Sequence, residues 1–176
     1  VSYGKERRTA LVLKNKDGIY DRVEIYKNKK AAEPLVVLDD YEVHSGIIDT
    51  VISKDEPTLC SRQYVLLNLE PDGSEVMLYV GNANKIGCDD LFHPKSLYHE
   101  LREHLGEIPS VCLTVGALPW IAEKITAPLW HIYGQWQADC INYLIENHDY
   151  EVVFSHFHNI DCYGHVYWER CAYREE

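Results

Sequence analysis

His156, His158, Asp161 and His165 fall within ten positions of the stretch "EVVFSHFHNIDCYGHVYWERCAYREE", residues 151–176. Carboxylate oxygen and imidazole nitrogen are both good ligands for zinc or manganese. An Asp and a His four apart, with Gly164 just before the His, can converge on one cation. The carboxylate leaves a loop, the glycine lets the backbone turn, and the imidazole returns from the first helical turn. Two ligands alone do not hold a metal, so the others must come from elsewhere. The plainer alternative is an Asp that caps a helix, with a surface His one turn further on. His158 reads as a support for the ligands or a group facing a substrate. His156 has the same two options, or is simply packed beside Phe154 and Phe157. A structural zinc site using all four residues together is a further possibility.

The elements around this cluster must present it. "EVVFSHF" reads as a buried strand, and loops at the carboxyl ends of strands form the ligand crevice of α/β sheets. Before it, the spacing predicts a helix over 130–147, with Tyr133, Trp136, Cys140, Ile141, Leu144 and Ile145 on one side. After it, a last helix-like segment is expected from about His165. Helix, strand, acid-and-His loop and helix together make an α/β crossover pattern.

The first part of the chain reads differently. "TALVLKN", a "KDG" turn at Gly18 and "YDRVEIYKN" predict a hairpin with Leu11, Leu13, Val23 and Ile25 facing inward. "PLVVLDD" is a third strand, and "EVHSGIIDTVI" is a turn and short strand. "SRQYVLLNLEPDGSEVMLYVGN" is a second hairpin about Pro71–Ser74. "PKSLYHELREHLG" is a helix begun by Pro94 and stopped by Gly106. The expectation is an α+β / α/β chain: an antiparallel β-rich insert over 1–106, then a segment over 107–176 leading into an α/β core. The loose boundary falls in the proline-broken stretch 107–128.

The motif "IDCYGHVYW" after an apolar strand resembles the Asp-x-x-Gly-His metal motif of the type I phosphodiesterase/nucleotide pyrophosphatase family of the alkaline phosphatase superfamily. "YDRVEIY", "EPLVVLDDYEVHSGIIDTV" and "EVMLYVGNAN" are similar to the β-rich insert that some members carry. The resemblance implies an alkaline-phosphatase-like core and a two-metal hydrolase of phosphate or phosphonate esters, with zinc or manganese. In it a Thr or Ser nucleophile forms a phospho-enzyme. Asp161 and His165 would bind one metal. The earlier Asp, the nucleophile, an Asp-His-Gly turn and a final His are not found in the sequence. The chain is therefore expected to be an inserted cap plus one metal motif, inactive alone, with the remainder of the catalytic domain as its partner. The rival reading is a β-rich binding or regulatory module with no catalytic role.

Charge and cysteine narrow the classes. Net charge is −11, yet residues 1–30 carry nine Lys and Arg against four Asp and Glu. The acidic remainder argues against a broad nucleic-acid surface, which needs a clustered basic face. No apolar run is long enough to span a bilayer. Six cysteines without a Cys-x-x-Cys pair exclude the common structural zinc frameworks and suggest reduced thiols in a cytoplasmic protein. With no Met at position 1 and no basic-then-apolar leader, residue 1 reads as the start of an excised segment. His44 with Asp39, Asp40 and Asp49 forms a second acid-and-His group, read as surface. Trp120, Trp130, Trp136 and Trp168 are read as core.

Overall fold

The computed structural model describes residues 2–3, 6–111, 119–162 and 164. The chain is mixed α and β with antiparallel sheets, and it divides into two compact units, Val1–Val111 and Cys112–Glu176. The alternation read from the first third folds as strands. β1 (Ser2–Tyr3) pairs with β2 (Glu6–Arg7), and β3 (Thr9–Lys14), β4 (Tyr20–Tyr26) and β5 (Val36–Leu38) form an antiparallel three-stranded sheet in that order. A second sheet runs β6 (His44–Ser53), β7 (Glu56–Leu69) and β8 (Val76–Val80), with β9 (Asn84–Lys85) also paired to β7. The stretch 42–52, expected as a turn and short strand, thus lies mostly in the ten-residue strand His44–Ser53.

The two sheets share one core. Val23, Ile25, Val36 and Leu38 from the first pack with Tyr64, Leu66 and Leu69 from the second. The inward face of β4 is as the alternation predicts, but that of β3 is offset by one residue. Ala10 pairs with Ile25 and Val12 with Val23, while Leu11 stands opposite Glu24 and is 45 % exposed. Because side chains alternate, a one-residue shift moves the whole set to the other face.

The β7–β8 connection follows its turn residues. Gly73 has φ +76°, its N–H donates to the Glu70 carbonyl (2.8 Å), and Asp72 Oδ1 accepts the Ser74 N–H (2.8 Å). A side chain at position 73 would also meet the Tyr20 ring at 2.7 Å, so glycine here serves both the backbone and the packing.

A buried ion pair ties the start of the chain to the second sheet. Arg8 Nη2 lies 2.8 Å from Asp49 Oδ1 and donates to the Thr50 carbonyl at 2.6 Å. Arg8 Nε reaches Asp49 Oδ2 at 3.1 Å, and the two side chains are 7 % and 0 % exposed. Asp49 therefore is not the surface acid expected beside His44. Asp40 is: it meets His44 Nε2 at 2.9 Å, and the Glu42 N–H, followed by His44, holds its carboxyl below the usual range.

In the helix α1 (Ser96–Leu105) Tyr98 and Leu101 are buried, and Gly106 at φ +78° ends it with its N–H on the Arg102 carbonyl. The second helix, α2 (Pro119–Asn147), begins well before the expected Trp130. Pro128 lies inside it; a proline deletes one helical donor, and the helix continues past it. Ile125, Leu129 and Trp130 are buried, Trp120 is exposed, and of the expected face Cys140 is buried while Ile145 is exposed. No helix among the described residues is long and apolar enough to cross a membrane.

Cys60, Cys88, Cys140 and Cys162 are free thiols. Burial pushes the Cys140 thiol up to about 12, with Asp139 adding to the effect. The thiolate is the nucleophile. Folded protein should therefore alkylate at Cys140 about a thousandfold more slowly at pH 8 than an ordinary thiol does, as peptide mapping after iodoacetamide would read. The sign for stability follows from linkage. Between the unfolded value and the folded one only the unfolded chain loses the proton, so stability falls as pH rises above about 9.

Candidate functional site

The residues that carry chemistry lie in the second unit, on the segment after α2. The run 151–158, expected as a buried strand, is not one. It is neither helix nor strand, and Val152 and Phe154 are 82 % and 95 % exposed. A strand needs at least one hydrogen-bonded neighbour, and an apolar run is buried only where other chain covers it. Val153 and Phe157, on the alternate side, are less exposed at 39 % and 44 %.

A helical turn over 159–162 follows, with the Cys162 N–H donating to the His158 carbonyl at 2.9 Å. Asp161 lies inside this turn, not at the position before it where a capping carboxylate would sit. That weakens the helix-cap reading of Asp161. His158 Nε2 is 3.8 Å from Asp161 Oδ2, with both side chains more than half exposed. The His156 and His158 rings sit 4.3 Å apart, tilted by 43°. Three of the four residues singled out by spacing thus neighbour one another where the run 151–158 meets this turn. His165, the expected second ligand, and the helix expected from it lie outside the described residues, as do Cys112, Cys171 and Trp168.

An oxygen and a nitrogen this close, both reachable from solvent, have the donor chemistry that zinc or manganese requires. They are two ligands, and among the described residues no group of three or more His, Cys, Asp or Glu comes together for a metal. The four-residue structural zinc arrangement is therefore not assembled by the described residues. The chemistry this pair can perform unaided is limited to holding a cation weakly or exchanging a proton.

Two amides hold the turn to α2, and the sequence reading missed both. Gln137 Nε2 donates to the His156 carbonyl at 2.7 Å and to Ser155 Oγ at 3.2 Å. Asn159 Nδ2 donates to the Trp130 carbonyl at 3.0 Å, over Gly134. The available signal was the spacing of Trp130, Gly134 and Gln137, four and then three apart, which puts them on one helix face.

The first unit contains a cavity of about 310 Å³ lined by Ser61, Asn84, Lys85, Cys88, Tyr98 and Glu107, among others. Two of its polar side chains are engaged with each other: the Tyr98 hydroxyl accepts from the Gly87 N–H at 2.7 Å and donates to Glu107 Oε2 at 3.1 Å, and Glu107 pairs with Arg102. No protein-family model, curated protein or solved structure matches the chain.

Proposed function

We propose that this chain is a cap-and-motif segment of a metal-dependent hydrolase of phosphate or phosphonate esters, of the phosphodiesterase/nucleotide pyrophosphatase kind. The observation that carries the reading is the half-exposed Asp161 carboxylate beside the His158 imidazole, on a turn directly after an exposed apolar segment. The first unit would be the family's β-rich insert, and residues 151–162 would enter the catalytic core. Asp161 and His165 would hold one of two metal ions. When bound, the metals supply charge stabilisation for the attacking and leaving oxygens of the ester. The protein's own part is to orient that carboxylate and, through His158, to steady it or face the ester.

Two ligands give weak binding, on the order of millimolar, or about −4 kcal/mol. Mn2+ titrated into the chain should broaden NMR signals of residues 158–162 with a dissociation constant in that range, and no p-nitrophenyl phosphodiester should be cleaved. Joined to a polypeptide that supplies the missing ligands and nucleophile, the chain should support metal-dependent cleavage that a chelator stops. Absence of any Mn2+ effect at 158–162 would sink the reading and leave the non-catalytic module in its place.

A further inference from the structure

We propose that Gly134 and Gln137 are positioning residues, a stripe of α2 that clamps the loop 155–162 and so fixes the direction of the Asp161 carboxylate; this rests on the reading of Asp161 as a ligand. In the loop Ile160 is 85 % and Phe157 44 % exposed, and just ahead of it Val152 and Phe154 are 82 % and 95 % exposed. Hydrophobic burial therefore contributes little to holding it, and the fastening falls to polar bonds. Gln137 grips the loop ahead of the turn through the His156 carbonyl, and Asn159 grips α2 at the start of the turn through the Trp130 carbonyl. Asp161 stands two residues beyond that second anchor.

Gly134 makes the second grip possible. A Cβ there would stand 2.5 Å from Asn159 Nδ2, and the next nearest atoms, at 3.4 and 3.6 Å, also belong to Asn159. The glycine has no positive φ to satisfy, so its role is close approach alone. Both amides are committed through nitrogen: Gln137 Oε1 and Asn159 Oδ1 are buried and accept no bond among the described residues. An amide held by its donor half alone is directional, because rotating it forfeits the bonds its nitrogen makes. A loop left free would have to lose backbone entropy when its carboxylate met a cation; a clamped one has lost it already.

The test uses the 176-residue chain, with Mn2+ as the probe and hydrogen exchange of the Cys162 amide as an independent measure of the turn. Gly134→Ala should speed that exchange and weaken Mn2+ binding at 158–162 about tenfold, as should Gln137→Leu. Because the clash is with Asn159 alone, Asn159→Ala added to Gly134→Ala should bring no further loss, whereas a general weakening of α2 would make the two add. Unchanged exchange in Gly134→Ala and Asn159→Ala overturns the clamp. Faster exchange with wild-type Mn2+ affinity overturns the positioning role while leaving the clamp. Wild-type protein that shows no Mn2+ effect removes the ligand reading itself, and the exchange data then stand alone as evidence of the clamp.

Discussion

Asp49→Ala is expected to destabilise the first unit by about 3–5 kcal/mol, the largest stability effect foreseen for a single change in this chain. The carboxylate has no exposed surface, and it holds a guanidinium that is itself 7 % exposed. Removing it takes from the buried Arg8 guanidinium the carboxylate that it meets through two nitrogens. The Thr50 N–H, now satisfied by Asp49 Oδ1 at 2.7 Å, loses its acceptor as well. Urea unfolding followed by tryptophan and tyrosine signals would read the loss as a lower midpoint. Replacing both partners, Arg8→Met with Asp49→Leu, should restore most of it, because breaking a buried pair on one side costs more than replacing the whole pair by apolar side chains. A loss below about 1 kcal/mol for Asp49→Ala would mean that water reaches the guanidinium.

Asp161→Ala should lower kcat/KM for a phosphodiester about a thousandfold, or ~4 kcal/mol, once the chain is joined to the rest of the proposed catalytic core. The size follows from the charge: losing a ligand to a metal that stabilises the transition state costs several kcal/mol, whatever the substrate's leaving group. His158→Ala should cost only about tenfold, as expected of a residue that supports a ligand. Asp161→Asn separates the roles. It keeps an oxygen for local hydrogen bonds but removes the charge, so it should resemble Ala in rate and wild type in folding. Cleavage at the wild-type rate by Asp161→Ala would end the hydrolase proposal.

The elements that sequence reading located well are those whose turns announce themselves. Pro71–Ser74 with Gly73 and the stop at Gly106 needed only local chemistry, and both stand where the residues place them. β3 misled because Ala10, Leu11, Val12 and Leu13 are apolar in succession, so nothing local chooses which alternate set turns inward; the partner strand β4 decides. The start of α2 was hidden by Pro128, which reads as a breaker although a long helix can absorb one missing bond. The segment 151–157 misled for a different reason. Its composition states a preference for burial, and burial needs other chain to supply it. Within the candidate site, Asp161 and the two histidines were legible from type and spacing. Gln137 and Asn159 were not, because an amide gains its role only from a backbone group some twenty or thirty positions away.

The bare Val152 and Phe154 side chains also govern how this molecule behaves in bulk. At neutral pH a net charge of −11 keeps copies apart by mutual repulsion, even with sticky surface on display. Near the isoelectric point of about 5.2 that repulsion vanishes while the oily ridge remains, so the chain's colloidal stability has its minimum in mildly acidic buffer. Turbidity should peak there, and Phe154→Ser, a change at a side chain 95 % exposed, should flatten the peak without lowering the unfolding midpoint.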